Sequence, residues 1–303
     1  MTATNGNHYY IPGPSPWPIV SSLAIFIMAI GFASMMQGSG GGTPILLVGA
    51  ALMIFVMFGW FRAVINESVS GKYNSQVDLS FRWGMSWFIF SEVMFFAAFF
   101  GALFYVRMYS VPWLGGGDPG TQDLLWPTFN AEWPLMNPPG AEHINAKTGF
   151  AFADPLFDIP KHVVSAWGIP ALNTIILLSS GLTVTWAHWG LKKQNRGQLI
   201  LGLLATVILG FLFIGFQAYE YGHAIEELNL TLSSGIYGST FYMLTGFHGL
   251  HVTLGATMLT VILFRAMVGH FSEHNHFAFE AVAWYWHFVD VVWLGLFIFV
   301  YWL

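Results

Sequence analysis

An all-α integral membrane protein of seven transmembrane helices is the fold that this sequence predicts, on three observations. Charged residues make up 8% of the 303-residue chain and apolar ones 55%, whereas a soluble domain carries about 25% charged residues. Seven apolar runs of spanning length succeed one another, since roughly 20 helical residues cross a hydrocarbon core of about 30 Å. Prolines, glycines and charges collect in the links between those runs, the longest being 111–160.

Composition also excludes function classes. A net charge of −5 with ten scattered basic residues argues against a nucleic-acid partner. The absence of cysteine removes disulfides, thiolate metal sites, iron–sulfur clusters and a Cys nucleophile together. The 29 Phe and 14 Trp supply side chains for packing against lipid and anchoring at its interfaces. Residues 1–16 contain no Lys or Arg, so no cleavable secretory signal is expected.

Taken in order, the prolines up to Pro18 favour an extended approach, and Pro18 suits the first turn of a helix. The first span reads Ile19–Met36 and ends at Gly38, Gly40, Gly41 and Gly42; Pro44 opens the second, which runs to Ile65. These form a region 1–65, followed by a polar link at 66–80. The third span runs Phe81–Tyr109, long enough to tilt or to project from the membrane. Residues 111–160 lose helical periodicity and read as a long outer-surface loop, with Trp113, Trp126, Phe129 and Trp133 laid against the membrane or a partner. The remaining spans are expected at His162–His188, Leu199–Tyr221, Tyr237–Arg265 and Phe277–Tyr301, completing a region 81–303.

The basic residues orient the bundle. Arg62, Lys72, Arg82, Lys192, Lys193, Arg196 and Arg265 fall on one side, against Arg107, Lys147 and Lys161 on the other. The positive-inside rule puts the N-terminus in the cytoplasm, or an organelle matrix, and the C-terminus outside.

A polar group inside a span needs a partner, because burying it alone costs several kcal/mol. Glu92 stands out, a carboxyl in an aromatic run with no basic residue within a helical turn. It suits a carboxylic acid bonded across the bundle, a proton relay, or a contact to another helix or a lipid headgroup. Glu280, Trp284, His287 and Asp290 share one face of the last span. His287 and Asp290 could set up a metal ligand, yet the obvious additional ligands are only His248 and His251, and no recognised metal pattern results. The alternatives are an interhelical hydrogen-bond network or contact with a partner's polar surface. Gln217, Glu220 and His223 share a face, with Glu220 expected near the membrane interface. Asn173, Thr174 and Thr185 suit helix–helix contacts, and Gly246, Gly249 and Gly255 suit close packing. Arg62, with Glu67 and Lys72 beyond it, is placed for a phospholipid phosphate or simply obeys the positive-inside rule. No P-loop, dinucleotide fingerprint, HExxH or Ser-His-Asp arrangement appears.

Longer stretches carry a resemblance. Tyr237-Gly238-Ser239-Thr240-Phe241, Thr245-Gly246-Phe247-His248-Gly249-Leu250-His251-Val252 and Phe279-Glu280-Ala281 through Trp284-Tyr285-Trp286-His287-Phe288-Val289-Asp290-Val291-Val292-Trp293-Leu294 resemble the cytochrome c oxidase subunit 3 family. Trp60-Phe61-Arg62 with Glu67, Ser91-Glu92-Val93-Met94-Phe95-Phe96, Leu172-Asn173-Thr174, Ser180-Gly181 and Thr185-Trp186-Ala187-His188 agree with it. The resemblance runs from about residue 14 to the C-terminus. It implies two helices splayed from a five-helix bundle by a V-shaped cleft filled with phospholipid. It also implies membership of a proton-pumping heme-copper oxidase that passes electrons from cytochrome c to oxygen. In that family haem and copper lie in partner subunits, and this chain would hold no catalytic, cofactor or metal residue. Its partners would be oxidase subunit 1 mainly, subunit 2 in the complex, small accessory subunits where the complex has them, and structural phospholipids. Arg62 and Glu67 match positions near lipid headgroups and Glu92 the intramembrane carboxyl. His248, His251, Glu280, His287 and Asp290 fit interhelical polar contacts. The long 111–160 segment points to a bacterial plasma membrane, with the mitochondrial inner membrane as the alternative. Other readings are the equivalent subunit of a quinol-oxidising oxidase, a stand-alone enzyme or independent proton channel using Glu92 and the polar stripe of the last span, and a transporter.

Overall fold

The computed structural model describes residues 9–137 and 158–303. Its elements are helices α1 (Trp17–Met36), α2 (Gly42–Val69), α3 (Ser75–Tyr105), α4 (Pro119–Leu125), α5 (Ile169–Lys192), α6 (Arg196–Glu226), α7 (Gly235–Val268) and α8 (Phe277–Leu296). A π-helical turn extends α3 over Val106–Ser110, a second lies at Trp113–Gly117, and a third carries α8 on to Trp302. Seven of these helices are long and apolar enough to cross a membrane, the expected number. All the regular structure among the described residues is helical.

Boundaries differ from the sequence expectation where polar residues entered helices. Asn66, Glu67 and Ser68 continue α2, and Ser75 to Ser80 open α3, so the link expected at 66–80 shrinks to residues 70–74. Helix propensity is a weak discriminator there, because Glu and Gln lie close to Ala in a helix and capped polar turns protrude readily from an apolar span. The 111–160 segment was expected to lack periodic structure, and it contains α4. Asp118 caps that helix by accepting a hydrogen bond from the Thr121 amide at 3.0 Å. Its stretch 138–157, including Lys147, lies outside the described residues.

The chain separates into two compact units, residues 1–83 and 84–303, the division falling within α3. In the first unit α1 and α2 pack as an antiparallel pair whose backbones approach closely. A Cβ at Gly31 would lie 2.3 Å from the Leu46 amide nitrogen, so only glycine fits. In the second unit α5 pairs with α6, α6 with α7, and α8 packs on both α5 and α7. Trp286, Trp293, Phe213, Phe241 and Phe279 are fully buried at its centre. Of the three glycines singled out in the sixth span, Gly255 is the one that packing demands. A Cβ there would reach to 2.8 Å from the Trp286 ring, while Gly249 faces open space.

Candidate functional site

The 84–303 unit joins Glu92 of α3 to His251 of α7, 159 residues apart in sequence, by a bond of 2.8 Å from carboxylate Oε2 to Nε2. His251 Nδ1 lies 2.6 Å from the Phe247 carbonyl oxygen. A carbonyl only accepts, so Nδ1 carries a hydrogen and donates. The Nε2–Oε2 bond therefore holds one further proton, on the carboxyl or on the ring. In the first form both groups are neutral, and in the second they are an ion pair. Net charge is zero either way, which makes a carboxyl acceptable at this depth. Phe96 contacts the imidazole with ring centroids 5.0 Å apart, and Tyr285 stacks on it at 6.3 Å. The side chains keep 22% (Glu92) and 11% (His251) of their surface exposed.

The polar stripe of α8 meets a second one on α5, and the two run antiparallel. Trp293 Nε1 donates to Thr174 Oγ1 at 2.9 Å, and Trp286 Nε1 donates to Ser180 Oγ at 2.8 Å. His287 Nε2 lies 3.2 Å from Thr185 Oγ1, and its Nδ1 lies 3.4 Å from Asp290. Asp290 is packed against the α5 backbone, where a Cβ on Gly181 would sit 2.5 Å from its Oδ2. Toward the other end Glu280 lies 3.4 Å from His188 of α5 and 3.2 Å from His276.

The residues singled out from sequence therefore do not form one stripe-wide network. His251 engages Glu92. His248 Nε2 donates to the Val289 carbonyl of α8 at 3.2 Å, with its ring against Phe213 and Trp293. His287 and Asp290 stay together, and Glu280 belongs with His188 and His276. Neither His248 nor His251 is a ligand supplier for the α8 stripe. Glu220, expected near the interface, is 2% exposed. Tyr301 donates to its Oε1 at 2.6 Å and Gln217 Nε2 at 3.1 Å, which replaces the water it would otherwise need. His223 pairs with Glu227 at 3.2 Å.

In the 1–83 unit Arg62 is exposed near the end of α2, and Glu67 accepts a hydrogen bond of 2.9 Å from Tyr73. Burial and the adjoining Glu67 carboxylate push the Tyr73 phenol above its ordinary value, so it remains a donor. Lys72 lies over the Tyr10 ring at 5.7 Å.

Sequence reasoning passed over His188 and His276 as site residues. The available signal was His276–Glu280 at i, i+4, which puts both side chains on one helix face. Among the described residues, His188, His276 and Glu280 form a group with one ligand atom each, all within 4.8 Å of one another.

The family model described as cytochrome c oxidase subunit III matches residues 7–137 and 153–303. Curated relatives bear the name cytochrome c oxidase subunit 3. One from Prototheca wickerhamii is 42% identical over 97% of this chain and 96% of the relative. Those from Marchantia polymorpha and Arabidopsis thaliana are 40% and 39% identical, each over 100% of this chain and 98% of the relative.

Proposed function

The chain belongs to the cytochrome c oxidase subunit III family, and on that premise we propose that it serves a proton-pumping terminal oxidase fed by cytochrome c, as its non-redox subunit. It packs mainly against subunit 1, in a complex with subunit 2 that can include small accessory chains. Haem and copper reside in those partners. The observation that carries this reading is how the titratable groups of the 84–303 unit are used. Among the described residues, Glu92, Glu220, His248, His251, His287 and Asp290 are each engaged by neighbours within the chain.

Two finer roles rest on the same geometry. Glu92 and His251 support proton uptake, because their bond holds one exchangeable proton and keeps partial exposure. Arg62 holds a phospholipid phosphate, its exposed guanidinium being suited to bidentate pairing, while Glu67 and Tyr73 fix the adjoining end of α2. The excess of basic residues on one side supports a cytoplasmic N-terminus. The extra length at 138–152, which the family model leaves unmatched, supports a bacterial plasma membrane over the mitochondrial inner membrane.

The test is to purify the oxidase with and without this chain. Haem spectra and initial oxygen consumption are expected to persist without it, while proton uptake slows or catalytic lifetime shortens. Haem or copper lost in proportion to this chain would overturn the proposal.

A further inference from the structure

His188, His276 and Glu280 converge where the end of α5 meets the start of α8, and we infer that they form an exchangeable site for a divalent cation of Zn2+ character. Two imidazole nitrogens and one carboxylate oxygen would hold it. The inference concerns binding alone and is independent of the proposed role in the oxidase.

The argument begins with the tautomer of His276. Its Nδ1 lies 3.0 Å from the Ser272 carbonyl oxygen, which accepts but cannot donate. Nδ1 therefore bears the hydrogen, and in the neutral ring Nε2 presents a bare lone pair. That lone pair faces Glu280 Oε1 at 3.2 Å. Two acceptors at this distance repel unless something positive lies between them. His188 Nε2 lies 3.4 Å from the same oxygen. Neither Nε2 makes a hydrogen bond, and both are buried.

These separations suit a metal ion. Tetrahedral ligands about 2.0–2.1 Å from Zn2+ stand roughly 3.3 Å from each other, close to the 3.2 and 3.4 Å found here. The carbonyl–imidazole pairing at His276 is the outer arrangement that commonly orients a metal-bound histidine. Water would supply the fourth ligand of a tetrahedral ion. Donor chemistry favours Zn2+ over Mg2+ or Ca2+, which prefer all-oxygen sets. Lys192, one turn beyond His188, opposes a second positive charge, which makes the site exchangeable instead of permanent. The competing occupant is a proton, which would turn one ring into an imidazolium ion-paired with Glu280.

The experiment uses the intact oxidase, stripped with a chelator and then given Zn2+ alone at pH about 7.5. Anomalous scattering at the zinc edge should show a peak about 2.0–2.1 Å from both Nε2 atoms and a Glu280 oxygen. Equilibrium dialysis should find one exchangeable zinc fewer in His276→Gln than in the wild type. Its affinity should fall at least tenfold, since loss of an outer partner alone costs about 10–100-fold. A wild-type site that stays empty at zinc concentrations filling other sites overturns the inference and assigns the cluster to a shared proton. Equal zinc content and affinity in wild type and variant overturn it as well.

Discussion

The α1–α2 pair and the α5–α8 bundle solve the same problem by different means. In lipid, apolar side chains gain little by leaving one apolar medium for another, so helices need either close backbone approach or polar partners. The α1–α2 pair uses the first. Its buried positions are Ala24, Gly31, Gly42, Gly49 and Val56, and Ser21 and Ser22 spend their hydroxyls on the carbonyls one turn back in their own helix. The bundle adds the second to the first, with Trp293–Thr174, Trp286–Ser180 and His287–Thr185 all crossing between α5 and α8, and His251 of α7 bonded to Glu92 of α3. Buried share follows suit, from 11% of the spanning window in α1 and α2 to 56% in the last span. Small residues allow approach without choosing a partner, whereas a hydrogen bond with fixed geometry chooses one. Polar pairing therefore belongs where the register of helices must be unique.

The largest effect expected from breaking that contrast is at Gly181. Valine there drives a methyl-bearing carbon into Asp290, whose oxygen would lie 2.5 Å from the new Cβ. Overpacking of this kind costs about 1–3 kcal/mol, and here it also displaces a buried carboxyl. Gly181→Val should lower the free energy of detergent-mediated unfolding by the upper end of that range. A change below about 0.5 kcal/mol would mean that α5 and α8 are not in register through Asp290.

His251 offers a way to separate holding from proton handling. His251→Ala leaves Glu92 without its partner and should cost about 1–3 kcal/mol, the usual penalty for stranding a buried polar group. Glu92→Gln keeps a donor for Nε2 and should alter stability by less than about 1 kcal/mol. It removes the exchangeable proton, so proton uptake by the assembled oxidase should slow while haem content stays constant. Equal uptake in Glu92→Gln and wild type would leave the pair a purely structural contact.

How much of this was readable from the sequence depends on what each feature requires. Seven spans were legible because a bilayer sets a length, and the runs of apolar residues meet it. Glu92 was legible as an anomaly because its neighbours are aromatic. Its partner was not, since nothing local marks a contact across 159 residues. His188 and His276 escaped notice for the opposite reason. They sit near span ends, where polar residues are inexpensive and so carry little signal. Glu220 misled because its position along α6 suggested interfacial water, whereas Tyr301 from the far end of the chain supplies the bond.

A single rung of the α5–α8 ladder should be worth much less than its packing. Trp293→Phe deletes the 2.9 Å bond to Thr174 and also the second ring of a fully buried indole packed on Phe213, His248 and Tyr301. Interhelical hydrogen bonds in membranes average about 0.6 kcal/mol, with a maximum near 1.7, so the coupling energy of the Trp293→Phe and Thr174→Val cycle should be about that amount, the rest of the Trp293→Phe loss being packing. Thr174→Val in the same background should then add almost nothing, because the bond is already gone. Additive losses would show that the indole and the hydroxyl serve separate partners.

The smallest effect expected is at Ser21, and it bears most directly on the contrast between regions. Its hydroxyl donates to the Trp17 carbonyl at 2.8 Å, an oxygen of its own helix. That bond satisfies the serine without linking α1 to anything. Ser21→Ala should therefore change stability by less than about 0.5 kcal/mol, and Ser22→Ala, bonded to the Pro18 carbonyl at 3.0 Å, should do the same. A loss above about 1 kcal/mol, in the range of a strong interhelical hydrogen bond, would mean that α1 is also held by polar pairing across helices. The distinction between approach through small residues and selection through hydrogen bonds would then fail in the region that defines it.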